Sequence, residues 1–210
     1  MVKVIIADDH PIVRAGLRQI VSEEPGFDAS GEAGDGHELL RRMREQKYDV
    51  VLLDITMPGM NGLDTLKQLK IEYPRTPVNI LTVHPETHYA LRVLKSGASG
   101  YLTKKSAPDE LLAAIKKVIT GGKYITAALA EKIAFSLDTD ADKMLHEELS
   151  DREFQVLCMI ASGKTVSEIA DELSLSVKTI STYRSRILEK MRMKTNAEIA
   201  YYAIKNGLVE

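Results

Sequence analysis

The sequence predicts an α/β domain followed by an all-helical one, and three observations predict it. Over the first 120 residues, short apolar or β-prone runs alternate five times with patterns of helical period. From residue 150 onward every apolar run has helical spacing. Between the two lies "SLDTDADKMLHEE" (136–148), a charged stretch with no sustained apolar stripe.

The strands are "KVIIA" (3–7), "FDASGEA" (27–33), "DVVLL" (49–53), "PVNILT" (77–82) and "SGYLT" (99–103), each bounded by turn formers. The first helix carries Val13, Leu17, Ile20 and Val21 behind Pro11, which suits a first-turn position. Leu39, Leu40 and Met43 mark the second, Leu63, Leu66 and Leu69 the third, and Ala90, Val93 and Leu94 the fourth. The fifth holds Leu111, Leu112, Ile115, Val118 and Ile119; it is entered through Ser106-Ala107-Pro108-Asp109 and ended by Gly121-Gly122. Strand and helix in strict alternation require a parallel sheet with helices on both faces. Strands one, three and four are too continuously apolar to have a wet face, which agrees. A short further helix is expected within 126–136.

In the second half the helix starts are well marked. "SDRE" (150–153), "TVSE" (165–168) and "TNAE" (195–198) each match a capping box, and Ser176 supplies a fourth start. Val166, Ile169, Ala170 and Leu173 share one face of a helix over 166–173. The tight turn "SLS" (174–176) leads into a helix from about 177 to 192 that buries Ile180, Ile187, Leu188 and Met191. Two helices so closely joined, the second basic, make a helix-turn-helix. The expected division is a first domain over 1–122, a linker over 123–147 and a four-helix domain over 148–210.

A chain of 210 residues suits two small domains, and 44% hydrophobic with 28% charged residues is the composition of a soluble globular protein. No apolar run approaches the roughly 20 residues that span a bilayer. The start "MVKVIIADDH" reaches two acids too soon for a signal peptide. One cysteine excludes a disulfide framework and a cysteine-based zinc site; Cys158 shares a helical face with Phe154, Leu157 and Ala161 and is expected to be a buried thiol. The expected location is the cytoplasm. The net charge of −2 conceals an imbalance: residues 1–120 are neutral, whereas 178–194 carry Lys178, Arg184, Arg186, Lys190, Arg192 and Lys194 against Glu189 alone. A polyanion is expected there.

In an open parallel sheet, ligands bind beyond the carboxyl ends of the strands. The first strand ends in Asp8-Asp9, the third in Asp54, the fourth in Thr82 and the fifth in Thr103-Lys104. In the flavodoxin-like order 2-1-3-4-5, strands one and three are neighbours, so three carboxylates converge. They cannot all stay ionised without countercharge. Lys104 supplies one positive charge and a hard divalent cation would supply two. Mg²⁺ (or Mn²⁺) takes carboxylate oxygens, waters and phosphate, so the site reads as a holder for a metal and a phosphoryl group, with Asp54 as nucleophile and acceptor. Taken singly, each residue has an ordinary explanation: Asp9 as a helix cap, Asp54 as a turn acid, Thr82 as a strand threonine, Lys104 as a solvated lysine. Their conjunction at four strand ends favours the site.

"ADDHPIVRAGL", "DVVLLDITMPGMNGL" and "ALRVLKSGASGYLTKKSAPDEL" resemble the receiver domain of two-component response regulators. "LSDREFQVLCMIASGKTVSEIADELSLSVKTISTYRSRILEKM" resembles the LuxR-type effector domain of the NarL/FixJ group. The resemblance implies that Asp54 is the phospho-acceptor and that Asp9, Asp54 and the backbone carbonyl of Thr56 hold Mg²⁺, with Asp8 assisting through water. It also implies that Lys104 pairs with phosphoryl oxygens, that Thr82 donates its hydroxyl to the aspartyl phosphate, and that Tyr101 turns inward as Thr82 moves. Lys105 departs from receivers of other groups, which place proline after the lysine, often in a cis peptide. LuxR-type regulators often lack that proline.

On the helix 177–192, Lys178, Ser181, Thr182 and Ser185 lie opposite Ile180, Ile187 and Met191, the face a recognition helix offers to a major groove. Arg184, Arg186, Lys190, Arg192 and Lys194 lie along its flanks and exit, where phosphates would be. The family pattern places Lys178 and Thr179 on phosphates and Ser181, Thr182 and Ser185 at base edges, with Tyr183 where many relatives have histidine. The last helix, with Ile199, Tyr201, Tyr202 and Ala203, suggests a dimer contact through its adjacent tyrosines. Two copies would set recognition helices roughly 10 bp apart. The implied partners are double-stranded DNA, a cognate histidine kinase, a second copy of the chain and RNA polymerase, with no membrane.

The whole reads as a phosphorylation-gated, DNA-binding transcription regulator rather than an enzyme. An aspartyl-phosphate phosphatase commonly has a second acid two residues after its nucleophile, where this chain has Thr56. "GEAGDG" has the wrong glycine spacing for a nucleotide loop. A phosphorylation-independent regulator, using its receiver only to oligomerise, would not need Asp9, Asp54, Thr82 and Lys104 together.

Overall fold

The computed structural model describes residues 1–82, 88–127, 129–131 and 145–209, and only the backbone of His88 and Tyr89. The chain divides into two compact units, Met1–Ala134 and Phe135–Glu210.

In the first unit the order is β1 (Val2–Ala7), α1 (Pro11–Ser22), β2 (Phe27–Ala33), α2 (Gly36–Glu45), β3 (Val50–Asp54), α3 (Gly62–Glu72), β4 (Val78–Thr82), α4 (His88–Lys95), β5 (Gly100–Thr103) and α5 (Ala107–Ile119). The five strands form one parallel sheet in the order β2-β1-β3-β4-β5. This is the expected doubly wound architecture. Every residue of β3 and of β4 is buried, as strands covered on both faces must be. Val4, Ile6, Leu52, Leu81 and Leu102 form one core with Leu17 and Val21 of α1 and Leu111, Ile115 and Val118 of α5. On the remaining elements α2 packs against β2 and α3, and α3 against β3.

Register then places the strand ends. Ala7 pairs with Leu53, Asp54 with Leu81, and Thr82 with Thr103. The carboxyl ends of β1, β3, β4 and β5 therefore lie along one edge of the sheet. Lys104 N–H donates to the carbonyl of Thr82 at 2.7 Å and carries this alignment one residue further.

Both units reach into the span read as linker. Tyr124 pairs with Gly100, and its hydroxyl donates to Glu110 at 3.1 Å. Residues 127 and 129–131 are helical. The rest of the short helix expected within 126–136, and residues 132–144 of the linker, lie outside the described residues. In the second unit a 3₁₀ turn, Leu145–Glu148, precedes α6 (Asp151–Ala161), α7 (Val166–Glu172), α8 (Val177–Lys190) and α9 (Asn196–Lys205). His146 in that turn is buried against Phe154 and Tyr202, with Nδ1 2.9 Å from the Tyr202 hydroxyl.

Ser150 and Thr165 form complete capping boxes with Glu153 and Glu168. At the third box Thr195 accepts from Glu198 N–H, but the Glu198 carboxylate accepts from Lys194 N–H, one residue before the cap. Ile180 and Ile187 of α8 and Met191, which caps its end, are buried as expected, whereas Leu188 is half-buried. Cys158 is a buried free thiol. Among the described residues no helix is long and apolar enough to cross a membrane.

Candidate functional site

Asp8, Asp9 and Asp54 converge at the carboxyl edge of the sheet as the strand order requires. Asp8 and Asp54 are fully buried and Asp9 is partly exposed. Lys104, reaching over from the end of β5, sets its Nζ 2.8 Å from Asp54 Oδ2 and 2.6 Å from Asp8 Oδ2. Thr56 N–H donates to Asp54 Oδ1 at 3.0 Å, so the turn after β3 wraps the same carboxylate. Asp54 is only 1% exposed. A turn at Pro58, Gly59 and Gly62 would by itself leave the acid open, but Lys104 lies across it.

Burial pushes the Asp54 carboxyl above its ordinary range; Lys104 and the Thr56 amide oppose that, and the neighbouring Asp8 adds to it. For Lys104 burial works against the charge, yet Asp54 and Asp8 outweigh it and raise its pKa. The ammonium thus stays charged beside acids that need it.

Asp9 is not the cap of α1. His10 occupies that position and makes no side-chain cap bond, while Asp9 Oδ1 lies 2.8 Å from His10 Nδ1. One carboxylate oxygen each from Asp8, Asp9 and Asp54 and one ring nitrogen of His10 all lie within 4.8 Å of one another. Hard, anionic oxygens held so close fit Mg²⁺ or Mn²⁺. Two residues join the site that the strand-end reasoning passed over: His10, and Arg14, which donates to the Asp8 carbonyl at 2.6 Å and pairs with Glu32. His10 stands directly after the acid pair, a signal open to view in "DDH".

Thr82 and Tyr101 are both fully buried, at the end of β4 and on β5. Tyr101 therefore already occupies an inward position. Among the described residues no peptide bond is cis, so Lys104–Lys105 is trans.

The second cluster is on α8. Ser176 caps it by accepting from Thr179 N–H. Lys178, Ser181, Thr182, Ser185 and Arg186 are exposed, and Thr179 and Tyr183 are half-buried. A shallow concavity of about 340 Å³ is lined by Ser176, Lys178, Thr179, Thr182, Tyr183 and Arg186. The hydroxyls of Thr182 and Ser185 donate to the carbonyls of Lys178 and Ser181, which leaves their oxygen lone pairs facing outward as acceptors. Lys190, expected at a phosphate, has a partner within the chain. Its Nζ lies 2.6 Å from the buried carboxylate of Glu153, which ties α8 to α6. Arg184 likewise donates to Asn196 Oδ1 and braces α9.

On α9, Tyr202 packs inward on His146 while Tyr201 is 70% exposed beside a groove of about 550 Å³.

Comparison with known proteins follows the same division. The family model of the response regulator receiver domain matches residues 4–116, and that of the bacterial regulatory proteins of the luxR family matches residues 147–203. The response regulator UvrY of Escherichia coli strain K12 is 36% identical over 209 residues, spanning 99% of this chain and 96% of its own. The response regulator GacA of Pseudomonas aeruginosa is 37% identical over 211 residues, covering 100% and 99%. The solved structure of RcsB from Salmonella enterica serovar Typhimurium, bound to promoter rprA in the presence of the phosphomimetic BeF3-, aligns with a TM-score of 0.67 at 29% identity; 96% of this chain and 98% of that one are covered.

Proposed function

Because the chain belongs to the response regulators that join a receiver domain to a LuxR-type DNA-binding domain, we propose that Asp54 is its phospho-acceptor and that phosphorylation there governs transcription through α8. The observation that carries this reading is the Lys104 ammonium shared by Asp54 and Asp8. A buried acid at a strand end, already matched to a cation, is prepared for a group that brings more negative charge.

Asp54 attacks the phosphorus of a phosphohistidine on a kinase, or of a small phosphodonor. A carboxylate oxygen–phosphorus bond forms, the bond from phosphorus to the donor breaks, and the leaving atom takes up a proton. Such a transfer needs positioning and charge neutralisation more than covalent help. Asp8, Asp9, Asp54 and the backbone carbonyl of Thr56 would hold Mg²⁺ or Mn²⁺, which when bound neutralises charge on the carboxylates and the phosphoryl oxygens. Lys104 turns from the carboxylates to a phosphoryl oxygen, and Thr82 donates its hydroxyl to another. Tyr101 lies inward here, the place its switch would reach. A new dianion then biases a two-state surface through a few charge-assisted hydrogen bonds.

On DNA, Lys178, Thr179 and Arg186 take phosphates while Ser181, Thr182, Tyr183 and Ser185 face base edges in the major groove. Exposed Tyr201 and the groove beside it support a second copy of the chain on α9.

The test is incubation of the full chain with Mg²⁺ and a small phosphodonor, followed by mass, oligomeric state and binding to a DNA site recovered by selection. Wild type is expected to gain one phosphoryl group and bind more tightly, and Asp54→Asn to do neither. Equal behaviour of the two would sink the reading.

A further inference from the structure

The metal position proposed above has a nitrogen beside its oxygens. His10 Nδ1 lies 2.8 Å from Asp9 Oδ1 and 3.3 Å from Asp8 Oδ1. The main chain fixes the ring there: His10 N–H donates to Asp8 Oδ1 at 2.9 Å, and the following Pro11 holds residue 10 in extended backbone, at φ −91° and ψ 109°. The side chain is 62% exposed and makes no cap bond to α1, so the ring is neither a core residue nor a helix cap. Among the described residues its only polar contacts are with the two acids.

The division of oxygens adds to this. Lys104 takes Oδ2 of both Asp8 and Asp54. The oxygens left toward an ion are Oδ1 of Asp8, which His10 faces, Oδ1 of Asp54 and those of Asp9. Ligands about 2.1 Å from an octahedral ion lie roughly 3.0 Å from their neighbours, and the two His10 spacings bracket that value.

We infer that His10 supplies a nitrogen ligand to the divalent cation held by Asp8, Asp9 and Asp54, and tilts the site from Mg²⁺ toward first-row transition cations such as Co²⁺ and Ni²⁺. The inference rests on the cation site of the proposed function and names its further ligand and its preference. Mg²⁺ gains little from an imidazole, whereas mixed nitrogen and oxygen sites bind with rising affinity from Mn²⁺ through Co²⁺ to Ni²⁺. The alternative is a ring that only hydrogen-bonds Asp9, which carries no preference among ions.

Calorimetric titration of the full chain with Mg²⁺ and with Co²⁺, at one fixed mildly alkaline pH, separates these. The variants are His10→Ala and Asp9→Asn, with the visible absorption of Co²⁺ as a second readout. Because the chain has five histidines, the difference between wild type and variant is what counts. His10→Ala is expected to weaken Co²⁺ about tenfold or more and Mg²⁺ by less than about twofold, and to change the Co²⁺ spectrum. Residue 10 keeps its main-chain bond to Asp8 in that variant, so unchanged Mg²⁺ affinity reports intact carboxylates. An unaltered ratio of Co²⁺ to Mg²⁺ affinity overturns the inference and leaves the cation site standing. Wild type that binds neither ion, or Asp9→Asn that loses neither, overturns the cation site itself.

Discussion

The ammonium of Lys104 lies 2.8 Å from Oδ2 of Asp54, a residue fifty positions earlier and almost wholly removed from solvent. Even with that partner, burial holds the Asp54 carboxyl above its ordinary range. A carboxyl whose pKa rises on folding favours the folded state while protonated, and that contribution is lost as the pH climbs through the folded pKa. At neutral pH the ionised Asp54 therefore weighs against folding. Asp54→Asn is expected to be more stable than wild type in urea unfolding at neutral pH. A variant markedly less stable would contradict this account of the site.

Lys104→Met should do the reverse. It leaves the buried Asp8 and Asp54 without their shared cation, and breaking a buried pair from one side typically costs about 3–5 kcal/mol. The lower end is expected because Lys104 keeps some exposure. Added Mg²⁺ should restore part of the loss. Unfolding curves with and without Mg²⁺ that match those of wild type would show that Lys104 compensates neither acid.

Gly62 makes the site possible from behind. A Cβ there would stand 2.3 Å from the Asp54 carbonyl oxygen and 2.5 Å from Ile55 Cα, both backbone atoms that cannot step aside. Its N–H also donates to the Ile55 carbonyl at 3.1 Å. Gly62→Ala must push α3 from the end of β3, at a cost of about 3 kcal/mol. It should also slow phosphoryl transfer to Asp54 more than Gly16→Ala on open α1, where a Cβ meets nothing. Equal melting temperatures for the two variants would refute the close approach.

What could be read in advance follows from range. The strands, their order and the convergence of Asp8, Asp9, Asp54 and Lys104 rest on local apolar runs and on the handedness of crossovers, both visible in a single sequence. Lys104 was legible as the countercharge, but not that it would be shared between Asp54 and Asp8 and leave Asp54 almost wholly buried, because side-chain reach is set by packing that no local pattern specifies. Charge on α8 is silent for the same reason: Lys190 and Arg186 look alike in "YRSRILEK" and, four residues apart, share a face of the helix, yet Lys190 pairs with Glu153 while Arg186 lines the concavity. The Thr195 box failed in a smaller way, where Glu198 found the amide of Lys194 instead of the cap.

Glu153 gives the second unit a pH dependence. Burial works against its charge, but the Lys190 ammonium and the N–H and hydroxyl of Ser150 outweigh it and hold the carboxyl below the ordinary 4.5. A carboxyl whose pKa falls on folding contributes stability that is complete above its unfolded value and lost as the pH drops through the folded one. Acid unfolding of the second unit should therefore steepen below about pH 4.5 and flatten in Glu153→Gln. Tyrosine fluorescence or circular dichroism against pH checks this, and identical acid limbs for the two chains would remove Glu153 as the cause.

The two lysine and arginine positions on α8 separate in salt. Each phosphate neutralised by a side chain adds about one to the slope of log affinity against log salt. Arg186 is exposed and lines the concavity with Lys178 and Thr179, so Arg186→Ala should lower that slope by about one. Lys190→Met should leave the slope unchanged and instead cost about 2 kcal/mol of stability, since it strands the buried Glu153 carboxylate. The measurement is DNA affinity across a salt series for both variants, alongside their melting curves. A slope that falls for Lys190→Met with no loss of stability would put Lys190 back among the phosphate contacts and free Glu153 from its role in tying α8 to α6.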